Sequence, residues 1–153
     1  MPSLEIKPPE YKDFEVWSDI WRKYNAFYGR QGETALDTEV IQTAWARLLD
    51  PAQPIHCLLA RHEGRVIGFA HFIFHQSMIS VGDTCYLQDL FTEEPARGLG
   101  IGRRLILAVA NEARLKNATG LYWHTHVSNL AARRLYDKVA TDTEFVVYRM
   151  KLS

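Results

Sequence analysis

The chain has 153 residues, enough for one domain with a real hydrophobic core. Its 18 basic and 18 acidic residues cancel, which excludes a global field that would recruit nucleic acid or an anionic membrane. At 47% hydrophobic and 24% charged it has the composition of an ordinary globular protein, and no apolar run approaches the ~18 residues of a bilayer span.

The N-terminus, MPSLEIKPPEY, carries charges and prolines where a secretory signal would be apolar, so a cytoplasmic location is expected. Leu4 to Lys7 alternates and predicts a first strand, ended by Pro8 and Pro9. From Asp13, the residues Phe14, Trp17, Trp21, Tyr24 and Tyr28 recur at spacings of three and four. That period predicts an amphipathic helix with one aromatic stripe, which serves either the core or part of a substrate wall. Thr38 to Leu49 reads as a second short helix, closed by Asp50-Pro51.

The texture then changes. IHCLLARHEGRVIGFAHFIFH is two apolar strands around a turn at Glu63-Gly64, an antiparallel hairpin. Thr84 to Thr92 is a further strand. Cys57 and Cys85 each lie inside one of these apolar runs and read as buried thiols instead of a disulfide pair. A helix is expected from about Gly102 to Lys116, then a strand in GLYWHTHV, a short helix from near Asn129, and a closing strand in EFVVYRMKL. The order β-α-α-β-β-β-α-β-α-β contains one strand-helix-strand crossover, between Thr92 and Leu121. It implies an α+β fold, a mixed and mostly antiparallel sheet flanked by helices, in a single domain over residues 1–153.

Three of the 9 glycines, Gly98, Gly100 and Gly102, fall within five residues, between the strand ending at Thr92 and the next helix. Glycine lets a ligand touch main-chain N–H groups, and the first N–H groups of a helix lack partners at the positive end of its dipole. With Arg97, Arg103 and Arg104 around it, this stretch reads as a cradle for a phosphate or pyrophosphate. No lysine follows at P-loop spacing. The glycine spacing also misses the dinucleotide fingerprint, and the next strand ends in Thr125-His126 where that fold needs an acidic residue.

Arg97-Gly98-Leu99-Gly100-Ile101-Gly102 does fit Arg/Gln-x-x-Gly-x-Gly/Ala, and so resembles the acetyl-CoA signature of the GCN5-related N-acetyltransferase (GNAT) superfamily. Asn129, Ala132, Leu135 and Tyr136 are similar to the family's later Asn-x-x-Ala-x-x-Leu/Phe-Tyr pattern, and the element order agrees over nearly the whole chain. Two groups look closest: the small yeast-type histone, polyamine and D-amino-acid acetyltransferases, and the diamine acetyltransferases. The resemblance implies acetyl-CoA as co-substrate, no metal, and a fold that often pairs as a homodimer through the sheet and final strand. It places the pantetheine arm along the backbone of Leu90, Phe91 and Thr92, and the pyrophosphate on Arg97, Gly98, Leu99, Gly100, Ile101, Gly102 and Arg103. It also gives Asn129 and Tyr136 contacts to the cofactor.

Acetyl transfer from a thioester needs a deprotonated amine, a donor for the developing oxyanion, and a proton for the leaving thiolate. By the resemblance, a backbone N–H around Leu90 to Thr92 is the oxyanion donor and Tyr136 is the acid. The base is less directly indicated. Diamine relatives carry Leu-Glu-Asp where this chain has Leu87-Gln88-Asp89, and glutamine accepts no proton, which leaves Asp89 or a water chain. Side chains alternate along a strand, so only one of Gln88 and Asp89 faces the substrate. His124 and His126 alternate on one strand face without a third ligand at useful spacing, and read as satisfied or substrate-lining histidines. No cysteine stands in an acyl-enzyme motif. The expected activity is direct acetylation of a small primary amine such as an amino acid or polyamine; the alternatives are a protein or histone lysine acetyltransferase, or a CoA-binding sensor without turnover. After the tyrosine, Asp137-Lys138-Val139-Ala140 departs from the family's Lys-x-Gly-Phe.

Overall fold

Five strands make one sheet in the order β1-β2-β3-β4-β5 in the computed structural model, which describes residues 3–153. Met1 and Pro2, where the charged N-terminal segment begins, lie outside the described residues. The strands are β1 (Leu4–Lys7), β2 (Ile55–His62), β3 (Arg65–His75), β4 (Thr84–Thr92) and β5 (Gly120–Tyr122). The helices are α1 (Phe14–Phe27), α2 (Thr38–Leu49), α3 (Ile101–Leu115) and α4 (Leu130–Val139). The α+β class and the antiparallel bias match the expectation. Only β4 and β5 run parallel, joined by the crossover through α3.

The chain divides into two units, one ending at Trp123 and one running from His124 to Ser153. In the first, the aromatic stripe of α1 packs inward: Trp17, Ile20, Trp21 and Tyr24 are buried against Cys57, Leu59, Phe69 and Phe91, with Ile41 and Trp45 of α2 beside them. Burying each such side chain contributes roughly 1.5–3 kcal/mol, which makes this stripe the main anchor of α1 on the sheet. On the opposite face lies α3, whose Lys116 end sits over the Phe74 ring at 5.8 Å.

One irregularity in β4 sets up the site. His71 is opposite Asp89, but the next residue, Phe72, is opposite Leu87, so Gln88 is an extra residue in the strand. This bulge reverses the facing of the strand on its far side. Asp89 and Phe91 share the α1 side with His71 and Phe69, while Leu87 and Cys85 fall on the side of Phe72 and Phe74. Gln88 itself is exposed and Asp89 is buried.

Two expected strands are corrected. β5 stops at Tyr122 instead of running to Val127, so His124 and His126 are not on a strand. Its ladder with β4 covers Thr84 to Tyr86 and ends just before the bulge, where the bent strand no longer presents a regular edge. The closing strand in EFVVYRMKL does not form: residues 141–153 take no regular secondary structure, and Phe145, Tyr148 and Leu152 are exposed. Alternating apolar residues specify a strand only when an edge supplies its hydrogen bonds.

Candidate active site

Beyond Tyr86, β4 is paired on one side only among the described residues. Its ladder to β3 continues to Thr92, while its ladder to β5 has ended. Leu87 to Thr92 therefore present an edge of backbone N–H and C=O groups suited to an extended, amide-bearing ligand. Leu90 and Thr92 are half-buried, whereas the Phe91 ring points into the core near Tyr24 and Phe69. Phe91 thus offers backbone alone.

The strand hands over to the loop through Glu93. Its buried carboxylate accepts from Lys23 of α1 and from Arg65 of β3, both at 2.5 Å. Burial alone would raise this carboxyl, but the two hydrogen bonds and cationic charges hold it below its ordinary value. Arg97 makes a second tie. Its Nε donates to the Thr92 carbonyl at 2.9 Å and its guanidinium lies over Phe27 and Phe91 at 5.1 and 5.6 Å. The sequence suggests charge beside a phosphate for Arg97; in the structure its side chain fastens the loop to α1.

Gly98 and Gly100 carry φ of +83° and +78°, left-handed backbone that other residues adopt at a cost. A Cβ built at either would have no atom within 4 Å, so the loop is open to solvent at both points. Gly100 is the N-cap of α3 and supplies no side-chain cap. The first N–H groups of α3 are thus left for an outside acceptor at the positive end of the helix dipole. Leu99 is 56% exposed and Arg103 is exposed, Gly102 is half-buried, and Ile101, at 1%, anchors the helix in the core. The residues present fit a pyrophosphate through backbone and arginine, with no part for the Ile101 side chain.

Asp89 sits in different surroundings. The Trp17 indole N–H donates to His71 Nε2 at 2.9 Å, and His71 Nδ1 lies 2.8 Å from Asp89 Oδ2. An indole nitrogen only donates, so Nε2 carries no proton and the Nδ1 proton points at the carboxylate. Burial first, then the charge and hydrogen bond of Asp89, raise the Tyr24 phenol well above its ordinary value, and Tyr24 stays a donor to that carboxylate. Sequence reasoning had Asp89 and the aromatic stripe but not His71, which is hidden in the hydrophobic run FAHFIF.

Cys57, His71 and Asp89 lie side by side on β2, β3 and β4, in the outline of a thiol triad. The chemistry of a triad is absent. Both imidazole nitrogens are committed, to Trp17 and Asp89, and burial with the Asp89 charge pushes the Cys57 thiol well above the usual range. Cys85 is also a free thiol, pushed up to about 11 by burial.

In the second unit, Asn129 caps α4: its Oδ1 accepts from the Ala132 N–H at 3.4 Å, as its position suggested. Arg133 Nη1 donates to the Val127 carbonyl at 3.0 Å and so steadies the approach to the helix. Tyr136 is half-buried on α4. His126 Nδ1 is 2.6 Å from Ser128 Oγ. Among the described residues no group of three or more His, Cys, Asp or Glu is placed to hold a metal ion, and no helix is long and apolar enough to cross a membrane.

The model of the acetyltransferase (GNAT) family matches residues 15–140, a span that takes in the β4 edge, the glycine loop and α4. The chain belongs to the GNAT family. It is an N-acetyltransferase with acetyl-CoA as acyl donor. The acetyltransferase is 36% identical over 148 residues to the D-amino-acid N-acetyltransferase HPA3 of Saccharomyces cerevisiae, covering 95% of this chain and 89% of that one. It is 31% identical to the uncharacterized N-acetyltransferase YhfO of Bacillus subtilis, covering 95% of each. Solved structures repeat the fold. An integron cassette protein from the mobile metagenome of V. cholerae superposes with a TM-score of 0.80 at 23% identity, over 99% of this chain and 94% of that one. The aminoglycoside acetyltransferase meta-AAC0020, from an uncultured soil sample, does so with 0.82 at 18% identity, over 98% and 97%.

Proposed function

We propose that this GNAT enzyme transfers the acetyl group directly to the primary amine of a small molecule, such as an amino acid or polyamine. The observation that carries the reading is the one-sided edge of β4 running straight into the uncapped N-terminus of α3. The edge from Leu90 to Thr92 binds the pantetheine arm through its backbone and supplies the oxyanion donor. The backbone of Arg97 to Arg103 and the loop arginines hold the pyrophosphate. Acetyl-CoA supplies a thioester whose carbonyl the amine attacks. Asp89 takes the proton of the acceptor ammonium, and Tyr136 returns a proton to the thiolate. Asn129 caps α4 and meets the cofactor. A small-amine acceptor is supported by the similarity to the yeast D-amino-acid enzyme, and direct transfer by the inert surroundings of Cys57.

In this reading both units belong to one acetyltransferase domain, supported by a family match that spans them. The two free buried thiols support a reducing, cytoplasmic setting. The exposed Phe145, Tyr148 and Leu152 support pairing of two copies through the tail, for which solution mass is the measure.

The test is thiol release from acetyl-CoA across a panel of L- and D-amino acids, polyamines and a lysine-bearing histone-tail peptide. Turnover confined to small amines supports the proposal, and turnover confined to the peptide replaces the acceptor. Tight acetyl-CoA binding without turnover on any of them would make the protein a sensor.

A further inference from the structure

The Trp17–His71–Asp89 chain is the feature that the family reading leaves unused. All three side chains are buried, at 0%, 6% and 6% exposure, and they come from α1, β3 and β4. Such a chain is costly to bury unless every polar group is satisfied, and here the pairing is directional. The indole N–H reaches Nε2 and the Nδ1 proton reaches Oδ2, at 2.9 and 2.8 Å. A second indole, Trp21, packs edge-on against the same imidazole, with ring centres 5.4 Å apart at 81°, and leaves the ring little room to turn.

We propose that His71 is a positioning residue for the Asp89 base, held by the Trp17 indole as the neutral Nδ1–H tautomer. This rests on Asp89 being the proton acceptor. In the step itself the ammonium N–H bond breaks and an O–H bond forms on Asp89. The electron pair stays on nitrogen for attack, and the imidazole neither gains nor loses a proton. His71 sets where the carboxylate points by donating its Nδ1 proton to Oδ2. Trp17 closes the other nitrogen, so that the proton stops at Asp89 instead of passing inward.

The groups facing Asp89 are few. Among the described residues of the first unit, they include His71 from β3, Cys57 from β2 and Tyr24 from α1, with Tyr28 and Arg30 acting on Tyr24. The Cys57 thiol and the Tyr24 phenol are both raised, which leaves His71 as the imidazole that touches the Asp89 carboxylate.

The experiment uses the full chain with 15N-labelled histidine and the best acceptor of the panel. The His71 signals are expected to show a protonated Nδ1 and a bare Nε2, the tautomer that the two contacts require. A protonated Nε2 would overturn the proposal. His71→Asn keeps an amide N–H where Nδ1–H stood, and is expected to keep the acid limb of kcat/KM for the acceptor. His71→Phe is expected to move that limb to higher pH and to lower kcat about 10-fold or more, with acetyl-CoA affinity within about twofold. If His71→Phe fails to fold, Trp17→Phe carries the test. With Nε2 released, a new imidazole ionisation should enter both the 15N spectrum and the rate profile, and its absence from both overturns the proposal. Asp89→Asn separates the two readings. If it abolishes turnover while His71→Phe leaves the acid limb unmoved, only the His71 role is lost. If it leaves turnover intact, the base assignment falls and takes the His71 role with it.

Discussion

The glycine loop and the Asp89 network lie on consecutive stretches of one strand and its exit, yet they are built by opposite means. The loop withholds side chains. Gly98 and Gly100 leave open space, and α3 starts without a cap, so that backbone donors face outward. The network fills every position, with Asp89 reached by His71 and Tyr24 and with His71 closed off by Trp17. Binding an invariant donor such as acetyl-CoA relies mainly on peptide groups at fixed spacing, which stay exposed only where side chains are withheld. A proton acceptor needs a particular charge at a particular point, and that takes side chains from three elements.

The sharpest break in this contrast comes from Asp89→Asn. Loss of the carboxylate is expected to lower kcat about 100-fold or more while acetyl-CoA affinity stays within about twofold, measured by steady-state rates and calorimetry. Gly100→Val should do the reverse. A β-branched residue at φ +78° costs about 1–2 kcal/mol of backbone strain and occupies the open space at the start of α3. Acetyl-CoA affinity should then fall about 10-fold with little change in kcat at saturation. Unchanged affinity would remove the cradle. Tyr136→Phe is expected to reduce kcat by about 10-fold, since a thiolate leaving group needs less acid help than an alkoxide would. An unchanged rate across the pH range would pass the acid role to water.

Glu93→Gln probes the joint between the two regions and should have the smallest effect. Its two cations are more than half exposed, so the loss is about 1–2 kcal/mol, read as a lower Tm. The fold lowers the Glu93 carboxyl below its unfolded value of 4.5, so wild type should exceed the variant by the full amount above that pH. The difference should fade as pH drops through the folded value. A gap that persisted in strong acid would mean that shape, not charge, holds the joint.

Local pattern carried far in this chain. The expected α2 and β4 coincide with Thr38–Leu49 and Thr84–Thr92, because period and punctuation agree there. The glycine loop was legible for the same reason: its chemistry is backbone chemistry, written in consecutive residues. Asn129 as a helix cap is likewise a local matter, settled within three residues. The tail was misread: EFVVYRMKL has a strand's alternation, but residues 141–153 take no regular secondary structure.

The sequence by itself therefore determined the family, the donor and the place where its pyrophosphate is expected, each set by neighbours along the chain. Tertiary structure alone decided the surroundings of Asp89. His71 is 18 residues from Asp89 and Trp17 is 54 from His71. Only the β3–β4 register, shifted by the bulge at Gln88, and the packing of α1 bring them together. A hydrogen bond across such separations depends on register and packing angle, and neither is written in any short stretch of residues.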